Sequence, residues 1–189
     1  CYTVLNPLDE PCRDVFYLPQ IASGFIAQEP GVTLQNVVLA DGTAATAVYG
    51  LERPALGAAV LHFVPGEQPA QTSRFVYDGK TLTTPLLQVQ LDELGRITSL
   101  VTRADGMQWA DGPMNTLLMA EDVSAGWDGW DIDADCMMKL QPAARLTKQT
   151  VTADGPQEFR LHSRYELDTA TILEQDMIFR AESTLVEWQ

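Results

Sequence analysis

Seven consecutive residues, Trp127-Asp128-Gly129-Trp130-Asp131-Ile132-Asp133, hold two indoles and three carboxylates. Indoles seek burial, whereas an aspartate resists it unless it is paired or hydrogen-bonded. Putting both in one short stretch suits a surface that grips polyhydroxylated ligands. Carboxylates accept hydrogen bonds from hydroxyls, and the CH-rich face of a sugar ring lies on an aromatic plane. Trp127, Asp128, Trp130, Asp131 and Asp133 are therefore the candidate substrate-binding residues. In extended backbone Trp127, Asp131 and Asp133 share one face. The nearest basic residues are Arg103 and Lys139, so hydroxyl binding is favoured over a salt-bridge network. Two plainer readings stay open: an irregular loop with solvated aspartates, or a module interface packed by the tryptophans.

Other chemistry is harder to assemble. Asp131-Ile132-Asp133-Ala134-Asp135 begins like a calcium loop, but its sixth position is Cys136 instead of glycine and its twelfth is Pro142 instead of glutamate. His62 and His162 lie far apart with no carboxylate at ligand spacing, so no histidine metal site is legible. His162 shares strand parity with Arg160 and Arg164, which predicts a solvated face, and His62 reads as a satisfied sheet histidine. The serines lack a Gly-x-Ser-x-Gly elbow. Cys136 has no histidine near it, and Cys12 beside Arg13 fits an activated thiol or plain surface placement equally. The chain thus offers no catalytic residue, metal ligand or cofactor site that can be read from its own sequence.

The elements that must carry these residues are strands. The Asp-Gly pairs at 41–42, 78–79, 105–106 and 154–155, together with Leu94-Gly95, recur as turn dipeptides. Asp-Gly suits the positive-φ positions of tight hairpins because glycine has no Cβ to clash. Between them, Leu87-Gln88-Val89-Gln90-Leu91 alternates as a half-buried strand does, and Phe159 to Leu167 repeats the pattern with charges on the opposite face. No amphipathic helix of 12 or more residues is found, and six prolines between Pro11 and Pro69 argue against helices there. The expected fold class is all-β. Pro65 to Ser73 is polar and proline-bracketed, so it reads as a linker. The expected organisation is a small β-sandwich over 1–65, a linker over 66–73, and a second β-unit over 74–189.

The chain has 189 residues, 46% of them apolar, enough for a packed core. Its net charge of −14, from 26 acidic and 12 basic side chains, repels a phosphate backbone, so nucleic acid is not an expected partner. No apolar run approaches the roughly 20 residues of a membrane span. Three cysteines are too few for a disulfide framework and favour a cytoplasmic location, although Cys1 and Cys12 could pair if the first strand folds back. The chain begins at Cys1 with no leader-like segment, which reads as a fragment of a longer polypeptide.

The Trp-Asp segment also resembles the W-D-A-W-D-I-D motif in the C-terminal β-region of family 38 glycoside hydrolases, the α-mannosidases. The likeness extends along the chain in order. Val4-Leu5-Asn6-Pro7-Leu8 with Arg13-Asp14-Val15, and then Arg53-Pro54-Ala55-Leu56-Gly57, are similar to the opening and closing of the family's first β-module. Thr81 to Leu87, Val89 to Leu100 and Gly112 to Leu117 follow its next strand starts and hairpin. Ile172 to Asp176 and Val186-Glu187-Trp188 match later motifs. The resemblance implies that 74–189 is the front part of a mutarotase-like super-sandwich, with its last strand at an open edge. It implies a retaining α-mannosidase whose zinc, nucleophile and acid/base belong to a catalytic module absent from this chain. The fragment alone would be inactive, would support the architecture, and could furnish one wall of the substrate pocket. Its partners would be an α-mannoside oligosaccharide and its own catalytic module, and an oligomer is allowed. Two alternatives remain: a free-standing carbohydrate-binding β-module, with Trp127 and Trp130 as a sugar platform, and a purely structural assembly domain.

Overall fold

The structure, a computed structural model, describes residues 1–123, 126, 132–168 and 170–189. Its first seven strands are β1 (Tyr2–Asn6), β2 (Phe16–Pro19), β3 (Phe25–Ala27), β4 (Thr33–Val38), β5 (Ala44–Tyr49), β6 (Gly57–Leu61) and β7 (Phe63–Pro65). They form antiparallel ladders β1–β6, β2–β5–β4 and β3–β7. Leu34, Val48, Leu51 and Leu61 are buried between them, with Phe16 and Phe63 packed alongside.

Among the described residues ten more strands follow residues 66–73: β8 (Val76–Tyr77), β9 (Thr81–Thr83), β10 (Leu87–Leu91), β11 (Ile97–Thr102), β12 (Leu118–Met119), β13 (Gln141–Pro142), β14 (Arg145–Asp154), β15 (Glu158–Glu166), β16 (Ile172–Arg180) and β17 (Val186–Trp188). One sheet runs β11–β10–β9–β8 and another β14–β15–β16–β17, the latter ending on β17. Leu87, Val89 and Leu91 point into the space between these sheets and meet Phe159, Leu161, Met177 and Phe179 from the other side. A side chain as buried as Phe159 contributes about 1.5–3 kcal/mol by leaving water. The fold is an all-β sandwich, and among the described residues the one helix is the four-residue α1 (Cys136–Lys139).

Among the described residues every ladder joins strands on the same side of 66–73. That segment is held by its own contacts: Gly66 N–H donates to Gly24 O, Gln68 Nε2 to Phe25 O, and the Ser73 hydroxyl to Asp154.

The turn dipeptides behave as expected at four places, with φ of +81° at Gly42, +98° at Gly79, +73° at Gly95 and +71° at Gly106. In the Asp92–Arg96 turn Asp92 Oδ1 accepts from Leu94 N–H and Arg96 N–H, both at 2.9 Å, which explains an aspartate three positions before that glycine. Gly155 differs. Its φ is not positive, and a Cβ there would lie 2.5 Å from the Gln35 side-chain carbon. Its glycine is required by a close approach to another element, not by the turn.

The expectation for the charged face of β15 is corrected. Phe159, Leu161 and Tyr165 do face the core, but the opposite face is not solvated. Glu158 and Arg160 are completely buried, and the His162 side chain is 18% exposed. The reason is that the first unit covers this half of the sheet. Ala153 of β14 packs with Val37, Ala45 and Ala47 of β4 and β5. Only the far end, with the Arg164–Glu174 pair, is open.

Candidate functional site

The candidate motif lies in an excursion between β12 and β13. These strands pair at Leu118↔Pro142 and Met119↔Gln141 and close its base. The approach is pinned to the sandwich. Met114 bridges to Ile97 and packs on the core. Asn115 then turns the chain with φ of +64°, a conformation asparagine tolerates better than most residues, and its Nδ2 donates to Gln175 Oε1 on β16 at 2.7 Å.

Of the candidate residues, Trp127, Asp128, Trp130 and Asp131 lie outside the described residues. Asp133 is described. Its N–H donates to Asp122 Oδ1 at 2.8 Å, and its Oδ2 accepts from Lys139 Nζ at 3.0 Å. Lys139 also reaches Asp135 Oδ1 at 2.7 Å, so one ammonium bridges two carboxylates. The hydrogen bonds from Lys139 and Asp135 hold the Asp133 carboxyl below the usual carboxylate range. Those to Asp135 and Asp133 raise the Lys139 ammonium. Lys139, one of the two nearest basic residues in the sequence, thus reaches Asp133, because the one-turn helix α1 brings its ammonium to that carboxylate. Among the described residues no group of three or more His, Cys, Asp or Glu side chains could hold a metal ion.

The histidines each have a carboxylate in space that sequence spacing did not reveal. His62 lies between β6 and β7, its Nδ1 2.8 Å from Glu29 Oε1, with the ring half exposed. His162 Nδ1 lies 2.7 Å from Asp176 Oδ1, its directly opposed partner in the β15–β16 register. Cys1 and Cys12 are both free thiols. Cys12 Sγ instead accepts from Arg53 Nε and Nη2 at 3.2 and 3.1 Å.

What sequence reading missed is the charge network at the junction of the two units. Arg160 Nε donates to Glu158 Oε1 at 3.0 Å and its Nη1 to Asp176 Oδ2 at 2.7 Å, all three side chains being fully buried. Tyr17 and Tyr49, from the first unit, donate to Glu158 Oε2 at 2.9 and 2.7 Å. The Arg160 guanidinium lies over the Tyr17 ring, 5.4 Å from its centroid. Burial followed by the Glu158 charge pushes both phenols up in pKa. A signal was present: Glu158, Arg160 and His162 alternate with apolar residues, and Asp176 directly precedes the apolar run Met177-Ile178-Phe179 of β16.

Residues 82–189, which include the Trp-Asp segment, match the family model described as glycosyl hydrolases family 38 C-terminal domain. Among solved structures the chain is similar to a protein in the glycosyl hydrolase family 38 from Enterococcus faecalis, with 9% identity and a TM-score of 0.42. That likeness covers 91% of this chain and 24% of the other, so the chain spans about a quarter of that protein's length. No curated protein matches.

Proposed function

This chain belongs to glycosyl hydrolase family 38, through the family's C-terminal domain, and on that premise we propose that it serves a retaining α-mannosidase acting on α-mannoside oligosaccharides. Its role is to hold the β-sandwich architecture and to lend the Trp127–Asp133 segment to one wall of the substrate pocket. The observation that supports this reading is the family match, which spans that segment. The anchoring of the excursion by Asn115 and by the β12–β13 ladder supports it further, because a pocket wall must stand on rigid elements. The chemistry of bond cleavage, including any zinc, is assigned to a catalytic module outside this chain.

The test is Asp131→Asn in the full-length enzyme. Weakening one charge-assisted hydrogen bond to substrate by about 1.4–2.7 kcal/mol lowers kcat/KM by about 10- to 100-fold with the melting temperature unchanged. A variant that is destabilised yet fully active per folded molecule would place the segment in a module interface and end the pocket reading.

A further inference from the structure

Beside the buried network a cleft of about 890 Å³ opens between the two units, within the roughly 300–1,000 Å³ range of small-molecule sites. Tyr17, Thr33 and Tyr49 line it from the first unit, and Gln157, Arg180 and Glu187 from the second. Its charges are largely neutralised in pairs. Arg180 Nη1 donates to Glu187 Oε2 at 2.6 Å. Arg13 and Glu182, which also line the cleft, pair outward with Glu52 and Arg74. Asp14 is the remaining charged lining group. An anion would meet three carboxylates, and a cation would meet two guanidinium groups. Neither finds an uncompensated counter-charge of the right sign in sufficient number.

The hydrogen-bonding capacity left over is mixed. The Arg180 nitrogens Nη1 and Nη2 each have one N–H engaged, by Glu187 and by Tyr17 Oη at 3.4 Å, and each retains another. Tyr49 donates its proton to Glu158, which leaves its oxygen to accept. Glu187 and the Gln157 amide add acceptors and donors. Interleaved donors and acceptors on a rigid, charge-paired wall match vicinal hydroxyls, each of which both gives and takes a hydrogen bond. From this we propose that the cleft is a saccharide-binding subsite that takes neutral polyhydroxylated ligands. The assignment to neutral saccharides stands on the lining; only the choice of a mannoside as probe rests on the reading above.

The experiment uses the full-length protein with non-hydrolysable S-linked α-mannotriose and, separately, maltotriose, read by amide hydrogen exchange. Binding slows exchange in residues 12–18 and 180–189. Thr33→Trp, which fills the cleft from an exposed strand position and leaves the buried network intact, abolishes that protection without lowering the melting temperature. Glu187→Gln weakens it about tenfold, the loss of one charge-assisted hydrogen bond. Protection by maltotriose alone keeps the subsite and removes the α-mannoside reading. Absence of protection by either sugar, or protection that survives Thr33→Trp, overturns the subsite.

Discussion

The phenol of Tyr49 donates to Glu158 Oε2 at 2.7 Å across 109 positions of sequence, joining the last residue of β5 to the first of β15. Through that bond, and the matching one from Tyr17, a carboxylate of the second unit is satisfied by hydroxyls of the first. Glu158 in turn neutralises Arg160. A buried ion pair adds little net stability over apolar packing, but breaking one leaves an uncompensated charge.

Glu158→Ala therefore destabilises the protein by about 3–5 kcal/mol. Tyr49→Phe, which leaves Glu158 with Tyr17 and Arg160, costs about 1–3 kcal/mol. Urea denaturation measures both. A Glu158→Ala cost no larger than that of Tyr49→Phe would show that the network is not the junction's main polar bond.

The junction also sets an alkaline limit. Burial first, and the Glu158 charge second, raise the phenols of Tyr49 and Tyr17, because ionised forms are disfavoured there. A raised pKa means the contribution is complete below the unfolded tyrosine value of about 10 and is lost as pH climbs above it. Tyrosinate absorbance should rise together with unfolding for these two residues, and Tyr49→Phe should flatten the fall of stability above about pH 10. Tyr49 ionising in the folded protein at pH 10 would refute this.

On the acid side Glu187 behaves oppositely. Burial alone would raise its pKa, but hydrogen bonds from Arg180 and Gln189 and the Arg180 charge outweigh burial and lower it. Its contribution is present above the unfolded glutamate value of about 4.3 and disappears as pH falls through the lower folded value. Glu187→Gln is expected to differ from the parent at neutral pH and to converge with it as pH drops below about 4. A constant difference across that window, by thermal melts, would count against the pairing.

Gly155→Ala tests the close approach of the two units. Gln35 Oε1 accepts from Gln157 N–H and Glu158 N–H, both at 2.9 Å, and its Nε2 donates to Glu158 O at 2.7 Å. A methyl group at 155 would displace this amide, at about 1–3 kcal/mol for overpacking and lost bonds. The same substitution's effect should nearly vanish in a Gln35→Ala background, which a double-mutant cycle reads directly.

The isolated chain should leave a chromogenic α-mannoside intact with or without added zinc, since no nucleophile or metal constellation is legible in its sequence. Turnover that disappears on mutating one of its own carboxylates would assign catalysis to this chain.

Local patterning determined much of this protein. The alternation of Leu87 to Leu91 specifies which face of β10 is buried, because successive strand side chains point to opposite sides. Asp-Gly pairs mark hairpins at Gly42, Gly79 and Gly106 because positive φ is cheap only there. The Trp-Asp motif and its companions after residue 82 lie within the stretch that matches the family model. Tertiary structure alone decided what covers the second face of β15. Strand alternation separates two faces but does not say whether water or another unit meets each one, so Arg160 and His162 read as solvated when they are buried or nearly so. It also decided why residue 155 is glycine, since Gln35 reaches it from 120 positions away along the chain. And it decided that Lys139 serves Asp133 and Asp135, because the α1 turn brings together groups that extended spacing holds apart.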